Sequence, residues 1–207
     1  MGGEIQYAVS GGAPLGTRLG HFFRGIGITI LEGYGLTETT APATVNRPSV
    51  MRIGSVGLPL PGVDVKIADD GEILVKGPQV MKGYYKNEAA TKEVFTDDGF
   101  FRTGDIGVID DDGYLKITGR IKDIIVTSGG KNISPQNIEN SLQASPYIEQ
   151  VAVIGDNRKY LSALIVPSFE NLEKWAKEQG ISYGSQADLT SNDKVVALFE
   201  KEMEEHM

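Results

Sequence analysis

Residues 33–40 read Gly-Tyr-Gly-Leu-Thr-Glu-Thr-Thr. One short stretch thus combines an aromatic ring (Tyr34), permissive backbone (Gly33, Gly35), hydroxyls (Thr37, Thr39, Thr40) and a carboxylate (Glu38). A strand ending in such a turn sets a stacking surface, a phosphate-facing hydroxyl and a metal-binding oxygen side by side. Those are the requirements of a nucleoside triphosphate site. The same letters also spell an ordinary Gly/Thr loop, because short motifs match by accident.

Four further segments carry candidate chemistry. Ser10-Gly-Gly-Ala-Pro14 follows a strand-like run, and its glycines let backbone approach a flat or anionic ligand. A bare Gly-Gly turn is equally a structural device. Thr103-Gly-Asp105 offers a carboxylate that either caps a turn or accepts both hydroxyls of a ribose. Gly119-Arg-Ile-Lys-Asp123 concentrates charge between two strand-like runs and reads as a solvated bend or as a hinge. Thr127-Ser-Gly-Gly-Lys-Asn132 resembles a phosphate loop without the Walker spacing, and no Gly-x-x-x-x-Gly-Lys-Ser/Thr occurs in the chain. The acid runs Asp97-Asp98 and Asp110-Asp111-Asp112 fall in turn contexts and read as solvated loops.

The elements that must position these groups follow from the hydrophobic pattern. Residues 5–9 predict a strand, 15–24 a short helix and the β-branched run 26–31 a buried strand, a β-α-β order that favours a parallel sheet. Alternating runs at 63–67, 72–76, 106–109 and 114–118 are punctuated by Asp70-Gly71 and Asp112-Gly113, which are hairpin signals. They predict an antiparallel β region with one helix near 88–95. Beyond Gly119 the pattern returns to mixed α/β: a strand at 121–126 and a helix from 135 to about 144, with Ser134 as N-cap and Pro135 at its first position. Strands at 151–154 and 160–166 and helices at 169–179 and 192–204 complete the expectation.

Composition bounds the function classes. The 207 residues, 40% hydrophobic and 23% charged, suit an ordinary globular chain. A net charge of −8 argues against nucleic acid as a partner, since phosphate backbones demand Lys and Arg. Without cysteine there are no disulfides, thiol nucleophiles or thiolate metal sites, and His21 and His206 alone support neither a His-rich metal site nor a Ser-His-Asp triad. No apolar run approaches the ~18 residues of a membrane span. The N-terminus shows no signal-peptide pattern, and the Met1-Gly2 start has Gln6 where myristoylation wants Ser or Thr. The expected setting is cytoplasmic, with peripheral association of the parent protein at a membrane left open.

The order of the segments identifies a family. Ser10-Gly-Gly-Ala-Pro14, Gly33-Tyr-Gly-Leu-Thr-Glu-Thr39, Gly71-Glu-Ile-Leu-Val-Lys-Gly-Pro78, Met81-Lys-Gly-Tyr-Tyr85, Phe101-Arg-Thr-Gly-Asp105 and the run from Gly119 through Lys122 and Gly129-Gly130 to Ser134 succeed one another. Together they resemble the adenylate-forming superfamily of acyl-CoA synthetases, luciferases and peptide-synthetase adenylation domains. The stretch 155–179 is most similar to the long-chain fatty acid–CoA ligase branch. The resemblance implies a mixed α/β fold. Residues 1–120 would be the end of a large AMP-binding domain, with a βαβ piece and an antiparallel β subdomain at about 50–118. Residues 121–207 would be a small, truncated, mobile α/β C-terminal domain.

It also implies a two-step reaction with ATP, Mg²⁺ and coenzyme A: a fatty acid is adenylated, and the CoA thiol then displaces AMP. On that resemblance Gly11, Gly12, Ala13 and Pro14 line the adenine pocket, and Tyr34, beside Gly35, stacks on the base. Thr37 bonds the α-phosphate, Glu38 holds Mg²⁺, Asp105 binds the ribose hydroxyls and Arg120 sits beside them. Lys122 is the hinge, and Gly129 and Gly130 face nucleotide and CoA in the second step. Two departures accompany the match: the family's Thr-Ser-Gly-Thr-Thr-Gly phosphate loop and its late adenylating lysine are both absent from the sequence. The expectation is therefore a C-terminal fragment unable to complete adenylation alone. Another acid, a carrier-protein acceptor, or a non-catalytic nucleotide-binding module are the alternative readings.

Overall fold

Gly-rich turns punctuate the apolar runs from Tyr7 onward, and each run finds a pairing partner. The computed structural model describes residues 3–40 and 42–206, so the Met1-Gly2 start lies outside the described residues. The chain forms two units, Met1–Lys122 and Asp123–Met207.

In the first unit β1 (Tyr7–Ser10), α1 (Thr17–Gly25) and β2 (Thr29–Tyr34) make a βαβ piece with β1 and β2 parallel. The second strand begins three residues later than its apolar run suggests. The Ile26 amide still donates to the Phe22 carbonyl at 3.2 Å, and Gly27 turns at φ +85° before the chain extends. The strand consequently takes in Gly33 and Tyr34, which the octet pattern assigned to a turn. Only residues 37–39 curl, as a short 3-10 turn stabilised by Leu36 N–H donating to Thr39 Oγ1 at 2.9 Å. β3 (Thr44–Val45) and β4 (Leu58–Pro59) continue this sheet antiparallel, in the order β1-β2-β3-β4.

The second sheet is an antiparallel meander of β5 (Asp64–Ile67), β6 (Glu72–Lys76), β7 (Phe101–Ile109) and β8 (Leu115–Arg120). Asp70-Gly71 and Asp112-Gly113 sit at its hairpins, each glycine with positive φ. The helix α2 (Glu88–Glu93) carries an Asn87 cap whose side chain accepts from Ala90 N–H. Thr103-Gly-Asp105, read from sequence as a turn or a ligand group, lies inside the nine-residue β7. Asp110 and Asp112 are not merely solvated: both bind the Arg52 guanidinium, which also stacks on Tyr114.

The two sheets of this unit meet where residues 56–57 add to β8: Val56 N–H donates to Leu115 O at 2.9 Å and Leu115 N–H to Gly57 O at 3.1 Å. One cluster, Tyr34, Ala43, Val63, Ile73, Val75 and Leu115, fills the space between them. Gly57 has φ +85°, and a Cβ there would lie 2.0 Å from the Val45 carbonyl carbon. Only glycine permits that crossing.

In the second unit β9 (Ile125–Val126) and β10 (Asn132–Ile133) form a small hairpin, followed by α3 (Pro135–Leu142). The strand expected over 121–126 is shorter, because residues 121–123 close a 3-10 turn first. Pro135 does open α3, but Ser134 makes no side-chain cap bond. β11 (Ile148–Ile154) pairs antiparallel with β12 (Ser162–Pro167). Then come α4 (Phe169–Glu178), α5 (Gln186–Thr190) and α6 (Asp193–His206), whose core is Leu172, Ala176, Leu189 and Val195. The short α5 carries no apolar periodicity in the sequence and was not expected. Among the described residues no helix is long and apolar enough to cross a membrane.

The crossing at Gly57 yields a prediction. Gly57→Ala adds both strain at positive φ and a backbone clash, and should lower the unfolding free energy by at least about 2 kcal/mol. Thermal unfolding followed by circular dichroism checks this; an unshifted midpoint would show that the two sheets do not depend on that close approach.

Candidate functional site

β2 delivers Tyr34 to the junction of the two sheets, and β7 delivers Asp105 to the same place from the other side. Tyr34 is a core residue, only 7% exposed, and its Oη donates to Asp105 Oδ2 at 2.7 Å. The ring thus presents little surface, and its hydroxyl is committed to the carboxylate. Asp105 is itself 6% exposed, and its Oδ1 accepts from Arg120 Nε at 2.7 Å. Arg120, opposite Asp105 in the β7–β8 pairing, is largely exposed. A buried carboxylate is stable when it is paired and hydrogen-bonded, and here each oxygen accepts from one donor among the described residues. Since a carboxylate offers about four acceptor positions, Asp105 retains capacity for about two more donors. Burial, and then the adjoining Asp105 carboxylate, hold the Tyr34 phenol far above its ordinary range, partly offset by Thr103 and Arg120. Tyr34 therefore remains a neutral donor across the physiological pH range.

Three residues beyond the end of β2, Thr37 is exposed and Glu38 is half-buried in the 3-10 turn. Glu38 is anchored twice from the loop that follows β6: Met81 N–H donates to its carbonyl at 2.7 Å, and Tyr84 Oη donates to Oε1 at 3.0 Å. Burial and the Glu38 carboxylate raise the Tyr84 phenol above its usual value. The exposed loop of Gly11, Gly12, Ala13 and Pro14 runs beside the strand end, since a Cβ on Gly11 would lie 3.4 Å from Gly33 O. Just after it, Leu15 N–H donates to Glu32 Oε1 at 3.1 Å and ties the loop to β2.

One strand end thus gathers the Gly11–Pro14 loop, Tyr34, Gly35, Thr37 and Glu38, with Asp105 and Arg120 joined to it through the Tyr34 hydroxyl. Lys122 lies exposed in the 3-10 turn as the last residue of the first unit. Gly129 and Gly130 belong to the second unit, at the tip of the β9–β10 hairpin, where Gly130 N–H donates to Thr127 O at 2.8 Å and Ser128 N–H to Arg158 O at 3.0 Å. Sequence reading gave no role to Glu32 or Tyr84. The Met81-Lys-Gly-Tyr-Tyr85 motif marked Tyr84 as part of a segment, but its partner 46 residues away follows only from the fold.

Among the described residues no group of three His, Cys, Asp or Glu side chains could enclose a metal ion. A single hard carboxylate such as Glu38 fits Mg²⁺, which prefers one or two carboxylates together with substrate phosphate oxygens and water.

The family model for AMP-binding enzymes matches residues 1–85, and that for the AMP-binding enzyme C-terminal domain matches residues 122–204. The chain belongs to the AMP-binding enzyme family. Within it, the chain is 50% identical over 198 residues to the long-chain-fatty-acid–CoA ligase FadD15 of Mycobacterium tuberculosis, a match covering 95% of this chain and 33% of the relative. It therefore spans about a third of the length of the curated relatives it matches. Among solved structures, the o-succinylbenzoate CoA synthetase MenE of Bacillus subtilis in complex with its acyl-adenylate intermediate superposes with a TM-score of 0.73 at 33% identity. That superposition covers 84% of this chain and 40% of the other. The same synthetase in complex with ATP and magnesium ion gives a TM-score of 0.70 at 30% identity, over 90% of this chain and 43% of the other. The mixed α/β architecture of this AMP-binding enzyme chain is that of the adenylate-forming enzymes.

The Tyr34–Asp105 bond can be tested directly. Tyr34→Phe keeps the ring in the core but takes one donor from a buried carboxylate, and should destabilise the chain by about 1–3 kcal/mol. Tyr114→Phe removes an exposed hydroxyl bonded to Val50 O and should change stability by less than about 0.5 kcal/mol. Denaturant unfolding of both variants measures the contrast; equal effects would deny the Asp105 bond its structural weight.

Proposed function

We propose that this chain carries the nucleotide-binding part of an ATP-dependent, AMP-forming acid–thiol ligase that acts on long-chain fatty acids. The observation that carries the reading is the buried Asp105 carboxylate, oriented by Tyr34 and Arg120 with acceptor capacity left for two vicinal ribose hydroxyls. Its support comes from the FadD15 likeness and from solved relatives bound to an acyl-adenylate or to ATP with magnesium.

In the first step the fatty acid carboxylate oxygen attacks the α-phosphorus of ATP. The P–O bond to the β-phosphate breaks, and pyrophosphate leaves an acyl-adenylate. In the second, the CoA thiol, losing its proton, attacks the acyl carbonyl carbon, and AMP departs as the thioester forms. Little covalent chemistry is asked of the protein; it positions the reactants and stabilises charge at phosphorus.

Gly11, Gly12, Ala13 and Pro14 offer a flat backbone wall for adenine, with the remaining edge of Tyr34 and Gly35 closing the pocket. The Thr37 hydroxyl donates to an α-phosphate oxygen. Glu38, steadied by Tyr84, holds Mg²⁺, which when bound neutralises phosphate charge. Asp105 accepts the ribose hydroxyls beside Arg120. Lys122 is the pivot between the units, and the Gly129–Gly130 tip serves the thiol step. The reaction takes place in the cytoplasm or at a membrane surface, where acid, ATP and CoA meet.

The test uses the full-length protein: CoA-dependent AMP release with acids of several chain lengths, greatest for long-chain acids. No release with any acid would sink the ligase reading, and release only with a carrier-protein thiol would replace CoA as the acceptor. Glu38→Gln should slow adenylation about 10–100-fold and raise the Mg²⁺ needed for half-maximal rate; an unchanged rate removes Glu38 from that role. The 207 residues by themselves, which lack a Thr-Ser-Gly-Thr-Thr-Gly loop, should form no thioester.

A further inference from the structure

The register between β6 and β7 slips around Asp105. Leu74 faces Arg102 and Glu72 faces Ile106, so the single residue Ile73 stands opposite three, Thr103, Gly104 and Asp105. Two extra residues in one strand form a bulge that preserves side-chain alternation, since the period is two, and Asp105 stays on the buried face with Phe101 and Thr103. The bulged amides need other partners. Asp105 N–H donates to Thr103 Oγ1 at 3.1 Å, and that hydroxyl in turn donates to Ile73 O at 2.7 Å. Gly104 N–H donates to the Glu72 carboxylate, at 2.8 Å from Oε1. Gly104 has φ +73°, and a Cβ there would meet nothing within 4 Å. The backbone conformation, not crowding, makes it a glycine.

Glu72 is 4% exposed, in a strand whose neighbours Ile73, Leu74 and Val75 are all core. Its second oxygen accepts from Arg102 Nη1 at 2.8 Å. A carboxylate at such a place contributes nothing to apolar packing, and its desolvation must be offset by partners. Both its partners, Gly104 and Arg102, lie within three residues of Asp105 on the bulged strand.

We propose that Glu72 is a positioning residue for Asp105: it holds the β7 bulge in the shape that points the Asp105 carboxylate at the ribose hydroxyls of the nucleotide. The inference rests on the reading of Asp105 as the ribose acceptor. Glu72 touches no substrate itself; it acts through the Gly104 amide.

The test compares ATP with 2′,3′-dideoxy-ATP as substrates of the full-length enzyme and reads the ratio of kcat/KM. Loss of folded protein lowers both values alike, whereas displacement of Asp105 erases the preference for hydroxyls. Asp105→Ala should bring the ratio close to one. Glu72→Ala should lower it about tenfold or more, by raising KM for ATP and not for the dideoxy analogue. Glu72→Gln keeps an acceptor for Gly104 N–H and should retain most of the ratio. Glu72→Asp keeps the charge for Arg102 but falls one methylene short of Gly104, and carries the test where the alanine variant does not fold; its ratio should fall as well. If Asp105→Ala collapses the ratio while Glu72→Ala or Glu72→Asp leaves it at the wild-type value, the positioning role is overturned and the ribose role stands. A wild-type ratio in Asp105→Ala overturns the ribose role, and the Glu72 proposal with it.

Discussion

A carboxylate almost sealed from solvent organises the first unit. Asp105 cannot remain there without donors, because an unpaired buried charge is far more costly than any single packing contact. Its donors come from two different sheets: Tyr34 from the end of β2 and Arg120 from β8, directly opposite in register. Satisfying one side chain therefore joins the βαβ piece to the antiparallel meander. The aromatic ring that makes this possible is also a member of the apolar cluster between the sheets. Core and site share an atom group, so anything that loosens the packing around Tyr34 also moves the carboxylate.

The surrounding devices make sense against that constraint. Gly57 lets the chain cross close to Val45 and pair with Leu115, which brings β8, and with it Arg120, within reach of the first sheet. Arg52 ties the segment ahead of that crossing to Asp110 and Asp112 at the far hairpin of the meander. The β7 bulge, with Glu72 and Thr103 standing in for lost ladder partners, presents Asp105 at the junction. Glu38 is held separately, by the loop after β6. The Asp105 and Glu38 carboxylates thus rest on different supports, one on the contact between the sheets and the other on a loop.

The legibility of the chain was uneven for physical reasons. Hairpins were readable because Asp-Gly dipeptides relieve the positive φ that tight turns impose, and Gly71 and Gly113 stand there. The βαβ order is readable from hydrophobic runs, but the β-branched run masks where the second strand begins: Gly27, at φ +85°, caps α1, with Gly27 N–H donating to Arg24 O and Ile28 N–H to Phe23 O, before the chain extends. The 3-10 turn at 121–123 and the short α5 escaped notice because segments of three to five residues carry too little periodicity. Asp110 and Asp112 looked solvated, and only the fold revealed that Arg52, some 60 residues away, claims them.

The sequence alone determined the chemistry on offer: which residue types are present, in what order, and hence the family resemblance and the mixed α/β class. Those follow from local backbone preference and side-chain inventory, which need no knowledge of distant contacts. Tertiary structure alone decided which groups meet. Tyr34 became a buried donor to Asp105 rather than a ring at a turn, Glu72 became the support of a bulge, and Tyr84 became the partner of Glu38. Each of these bonds joins residues more than thirty positions apart. Their formation depends on strand register and on the cost of leaving a buried charge without a donor, neither of which a linear pattern encodes.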